Sequence, residues 1–106
     1  MDKNPDSYAA AVAHALTRQL GGTHRAVKIV MRWTGASERT VKNWFAGSSG
    51  PSGQHLLALA RHSDEVLAAF LTLAGRHKIA AAIKLIDLRN SIAQVLEEID
   101  LLIENQ

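Results

Sequence analysis

An all-α fold is predicted by three observations. Many Ala, Leu and Ile stand beside only 5% aromatic residues. Apolar side chains recur three and four positions apart, and Ser, Thr or Gly sit where those runs begin and end. Strands would need β-branched and aromatic residues in alternation, and no stretch shows it. With 106 residues, 47% hydrophobic and 21% charged, the chain suits one folding unit and lies far from the composition of disordered segments.

The elements follow from caps and stops. Asp6 or Ser7 can cap a first helix to about Leu20, with Val12, Leu16 and Leu20 at helical spacing and Gly21-Gly22 as the stop. Thr23 caps a second helix to about Thr34, with Val27, Val30 and Met31 inward and Gly35 ending it. Ser37 caps a short third helix with Val41, Trp44 and Phe45 as its apolar face, closed by Gly47. Residues 47–53 read as a loop of Gly, Ser and Pro. A fourth helix runs from about Gln54 to Arg61 with Leu56, Leu57, Leu59 and Ala60. Ser63 caps a fifth, carrying Val66, Leu67, Phe70, Leu71 and Leu73 and stopped near Gly75. After a polar joint, Arg76-His77-Lys78, one uninterrupted stretch from Ile79 to Glu104 predicts a helix of roughly 26 residues and about 39 Å. The organisation is a head over residues 1–78 and a long C-terminal helix over 79–106.

Charge divides along the same line. Residues 7–62 hold seven basic side chains (Arg18, Arg25, Lys28, Arg32, Arg39, Lys42, Arg61) against the single acid Glu38, whereas residues 63–106 hold four basic against seven acidic. That polarity is expected when one end meets a polyanion and the other does not.

Other chemistries find little support. The chain has no Cys, which excludes disulfides, thiolate zinc sites and cysteine nucleophiles. His14, His24, His55, His62 and His77 lack the paired spacing of metal ligands, so no metal or cofactor is expected; only His24, beside Arg25, is placed near a nucleic acid. Ser48, Ser49 and Ser52 lie in a loop without the context of a nucleophile elbow, and the Gly-rich loop lacks the Lys-Ser/Thr of a phosphate-binding loop, so an enzyme is not expected. No apolar run reaches the roughly 18 residues of a membrane span and the first residues lack a signal-peptide pattern, which predicts a cytoplasmic protein.

Residues 27–46, VKIVMRWTGASERTVKNWFA, join two helical patterns through Gly35, Ala36 and Ser37. Such a turn needs a residue tolerant of positive φ, and the next helix needs a cap; Gly35 and Ser37 supply them. Val41 and Trp44, three apart, lock the third helix inward, leaving Glu38, Arg39, Lys42 and Asn43 outward. Arg and Lys donate to guanine, Asn pairs with adenine, and Glu accepts from cytosine. A plain helical hairpin without a ligand would share the Gly turn but not the charge asymmetry or these outward side chains. Arg25 and Lys28, at the start of the second helix, are placed on phosphate, with Ser37 and Thr40 at the edge of the same surface.

The segment TGASERTVKNWFAG resembles the helix-turn-helix of the lambda-repressor/Cro-like (XRE) family of bacterial and phage regulators. The resemblance implies a compact five-helix domain over roughly residues 6–75 in which the second and third helices bind DNA. His24, Arg25 and Val27 stand where many family members carry a phosphate-contacting Gln, which moves the backbone anchor to Arg25 or Lys28. Met31 fills a position usually held by Ala, implying a wider spacing of the two helices.

In the C-terminal helix Leu85, Leu88, Ile92, Val95, Ile99 and Leu102 alternate three and four apart, a heptad seam over about two and a half repeats, broadened by Leu96 and Ile103. So long a helix exceeds what the head can cover, which favours a homodimer seam over packing on its own domain. Orientation, parallel or antiparallel, stays open. The expectation is a sequence-specific regulator of double-stranded DNA acting as a homodimeric repressor. The competing reading is a protein-interaction or antitoxin-like adaptor whose long helix binds a different chain.

Overall fold

The computed structural model describes residues 7–105. Six helices follow one another: α1 (Tyr8–Leu20), α2 (His24–Thr34), α3 (Glu38–Ala46), α4 (Gly53–His62), α5 (Asp64–Leu73) and α6 (His77–Glu104). The described residues contain no strand, and the fold class is all-α.

Side-chain caps start four of the helices. Ser7, Thr23, Ser37 and Ser63 accept from the amides of Ala10, Ala26, Thr40 and Val66 at 3.1, 3.2, 3.2 and 3.1 Å. Each satisfies an orphan donor, an effect of about 0.5–2 kcal/mol. Asp6, the other candidate cap for α1, lies outside the described residues. Ser63 serves twice, because its amide also closes α4 on the Leu59 carbonyl (2.9 Å) while its hydroxyl donates to Gln19 of α1 (2.9 Å).

The core joins Val12, Ala15 and Leu16 of α1, Val27 and Val30 of α2, Ala36 of the turn, Val41 and Trp44 of α3, Leu59 of α4 and Val66 of α5. Arg18 and Glu65, 2.9 Å apart, add a partly exposed tie between α1 and α5. The loop before α4 is pinned from α1: the Tyr8 hydroxyl donates to the Pro51 carbonyl, Pro51 is buried, and a Cβ on Gly50 would meet the Tyr8 ring at 2.5 Å. Only glycine fits beneath that ring.

Three of the apolar residues of α4 and α5 are exposed: Leu57, Phe70 and Leu73. α4 and α5 are ten residues each with apolar side chains on several sides, and the neighbouring helices cover only part of that surface. The joint before α6 is also shorter than its composition suggests. The Ala80 amide donates to the Arg76 carbonyl (3.0 Å), so His77 and Lys78 belong to the helix, and a boundary after residue 78 falls inside it. Ala80 is buried and Ile83 half-buried against the head, so the first two turns of α6 pack with it.

Beyond those turns α6 departs from the head. Its 28 residues span about 42 Å, and the radius of gyration is 15.9 Å against about 13 Å for a compact chain of this length. From Lys84 to Asn105 every residue is exposed. The heptad seam is between 44% (Ile99) and 69% (Leu102) exposed. Ile83 and Ile92, nine residues apart, are half a turn out of phase at about 3.6 residues per turn. Ala80 stands about 120° from Ile92 and about 80° from Leu88, so the seam is turned aside from the contact with α5 rather than set opposite it, and its exposure shows that the head leaves it uncovered among the described residues.

Candidate nucleic-acid interface

The turn between α2 and α3 is built from three residues. Gly35 takes the left-handed conformation (φ 75°, ψ 4°) and its amide donates to the Met31 carbonyl at 2.8 Å, closing α2 in a way that a Cβ disfavours by roughly 1–2 kcal/mol. The Thr34 hydroxyl donates to the Val30 carbonyl (2.8 Å) and accepts from the Ala36 amide (3.2 Å), turning the chain so that the Ala36 side chain is buried. Ser37 then caps α3.

Val41 and Trp44 face inward at 0% and 2% exposure. That fixes the rotation of α3 and leaves Arg39, Lys42 and Asn43 exposed on its opposite side. Ala46 completes the i, i+3, i+4, i+7 stripe and is exposed as well. Sequence reasoning passed over it, although the spacing from Arg39 marks it; its methyl group suits contact with a thymine methyl.

α2 adds a basic face beside this stripe. Arg25, Lys28 and Arg32, at i, i+3 and i+7, are all exposed, while Ala26, Val27 and Val30 are buried on the other side. Arg32 was not among the expected site residues, yet it shares the face with Arg25 and Lys28. Thr23 and His24 at the start of α2 line an open groove with Lys42 and Ala46, so the head of α2 sits next to the exposed side of α3. His24 is thus on the same side of the head as Lys42 and Ala46.

The two faces meet at Glu38. Its Oε1 lies 3.5 Å from Lys28 Nζ and its Oε2 2.8 Å from Lys42 Nζ. The hydrogen bond and charge of Lys42, followed by the charge of Lys28, hold the Glu38 carboxyl below the usual carboxylate range. Both carboxylate oxygens are engaged, so Glu38 orders the two lysines beside it. A depressed carboxyl favours the folded arrangement above its ordinary range, and the effect is lost as pH falls through the folded value. On so exposed a group that effect is small. Ser37 and Thr40 are likewise partly spent on structure, since the Ser37 hydroxyl accepts from the Thr40 amide and donates to the Thr40 hydroxyl (2.9 Å). The Thr40 proton is left for an outside acceptor.

No carboxylate of the described residues forms an ion pair with Arg25, Arg32 or Arg39. The surface of α2 and α3 thus carries five cations and one carboxylate, with a carboxamide and a methyl group among them. Arg18 lies elsewhere, committed to Glu65. Two histidines have structural neighbours: His62 stacks on Trp33 (5.1 Å, 9°) and His55 meets Trp44 edge-on (5.3 Å, 61°), tying α4 to α2 and α3. No group of metal-ligating side chains occurs among the described residues, and none of their helices is long and apolar enough to cross a membrane. Comparison with protein-family models, with characterised proteins and with solved structures finds no match.

Proposed function

We propose that the chain is a sequence-specific binder of double-stranded DNA, built on a lambda-repressor-like head and acting as a homodimeric transcriptional repressor. The observation that carries this reading is the exposed stripe of α3, Arg39, Lys42, Asn43 and Ala46, set beside the basic face of α2. A major groove about 12 Å wide admits one helix, and those side chain types pair with base edges, while cations flanking them neutralise phosphate. The resemblance of the turn segment to the XRE-type regulators supports the same assignment. Occupying a promoter is sufficient for repression.

Selection from a random duplex pool followed by gel shift tests the reading. Recovery of a defined, two-fold site is expected; binding without sequence preference would favour the adaptor, for which the uncovered seam of α6 is the supporting observation. On the selected site, Arg39→Ala and Asn43→Ala are each expected to cost about 1–3 kcal/mol, with far smaller losses on random DNA. Equal losses on both would remove these residues from base contact.

Anchoring gives a separate expectation. Arg25 makes no ion pair among the described residues, whereas Lys28 is already partly neutralised by Glu38. Arg25→Ala should weaken binding to every duplex and lower the slope of log affinity against log salt by about one unit. Lys28→Ala should lower it by less. Fluorescence titrations across a salt series measure both, and an unchanged slope for Arg25→Ala would move the phosphate anchor elsewhere.

A further inference from the structure

Charge along α6 is segregated. Its first half carries Lys78, Lys84 and Arg89 against Asp87, and its second half carries Glu97, Glu98, Asp100 and Glu104 with no basic residue. The uncovered seam runs through both halves.

We infer that the seam pairs with the seam of a second copy in antiparallel orientation. The inference rests on the self-association within the proposed function and adds its geometry. At roughly 100 Å² for each of the eight apolar side chains, pairing removes on the order of 800 Å² per protomer, the size of a standard stable interface. A second copy therefore suffices to cover the stripe.

Orientation follows from the charges. Taking Leu85, Ile92 and Ile99 as a positions and Leu88, Val95 and Leu102 as d positions, an antiparallel pairing sets Leu85 against the partner's Leu102 and Ile92 against the partner's Val95, and covers all six layers. Arg89, at e, and the partner's Glu98, at g, are level along the axis but on opposite flanks, so the attraction is between the basic start of each helix and the acidic end of the other rather than within one flanking pair. A parallel pairing puts both acidic ends at the same end of the dimer, with Glu98, at g, beside the seam and Glu97, Asp100 and Glu104, at f, b and f, on its outer side. It also sets Lys84, at g, against the partner's Arg89, at e, the flanking pair that decides orientation in coiled coils. The Lys84–Arg89 repulsion opposes parallel pairing, and the opposite charges of the two halves of α6 favour the antiparallel one.

The chain has no Cys, so Asn105→Cys creates a single labelling site at the exposed end of α6 without changing a charge. Spin labels on the full-length protein are expected about 35 Å apart along the axis if the helices are antiparallel, and nearly level, within about 20 Å, if they are parallel. Sedimentation equilibrium at rising salt adds a second readout: antiparallel dimers should dissociate more readily as complementary charges are screened, parallel ones less readily. A long distance with salt-weakened dimers establishes the antiparallel seam. A short distance, or dimers strengthened by salt, overturns the orientation and leaves self-association standing. A monomer without dipolar coupling overturns both, and the duplex selection still reports separately on DNA binding.

Discussion

If the proposed dimer forms through α6, Ile92→Asp together with Ile99→Asp is expected to convert it to a monomer and to lower affinity for a selected two-fold site by about 10²–10⁴-fold, the gain that linking two binding heads ordinarily provides. Ile92 lies in the middle of the seam and Ile99 one layer from its C-terminal end, and each dimer would then enclose four carboxylates among apolar layers where nothing pairs with them. In the single chain the same residues are 52% and 44% exposed and lie beyond the turns of α6 that pack with the head. The melting temperature of the head should therefore stay unchanged, and affinity for a single half-site should fall little. That combination separates loss of pairing from loss of folding. Sedimentation velocity and gel shift on half- and full-site duplexes provide the check; a double variant that stays dimeric with full affinity would place dimerisation outside α6.

The parts of this molecule legible in the sequence are those decided within a few residues. Ser7, Thr23, Ser37 and Ser63 cap the helices expected of them because a cap depends on one hydroxyl and an amide three positions on. Gly35 closes α2, and Val41 with Trp44 sets the rotation of α3, for the same local reason. The i, i+4 neighbours Glu38 and Lys42 could have been read as a pair from spacing alone. The Lys28–Glu38 contact could not, because it depends on the angle at which α2 meets α3 across the turn. Exposure of Leu57, Phe70 and Leu73 was hidden for a related reason: an apolar residue on a short helix is inside or outside according to which neighbour covers that side. In α6 the sequence shows a heptad seam, but only the exposure of its residues beyond the turns that carry Ala80 and Ile83 reveals that the head does not cover it.

Trp44→Ala is expected to destabilise the head by about 3–5 kcal/mol, the usual loss when a buried large aromatic side chain is truncated. Trp44 is 2% exposed, belongs to the cluster that joins α1 through α5, and meets His55 of α4 edge-on. Its removal opens a cavity between α3 and the rest of the head at the point that fixes the rotation of α3. Against a total stability of about 5–15 kcal/mol this is a large fraction. For a head of this size each kcal/mol shifts the melting temperature by about 4–8 °C, so a fall of at least 12 °C is expected by calorimetry. DNA affinity should drop for specific and random duplexes alike, as the folded population falls and the α3 stripe loses its fixed register. Arg39→Ala, on the opposite side of the same helix, should leave the melting temperature where it was and weaken binding mainly to the selected site. Trp44→Phe, which keeps an aromatic ring in the cluster, should lie between Trp44→Ala and the unaltered protein. A melting temperature for Trp44→Ala within a few degrees of the unaltered protein would mean that α3 is held by the turn and its cap rather than by the core, and that the rotation assigned to the Arg39, Lys42 and Asn43 face has no packing behind it.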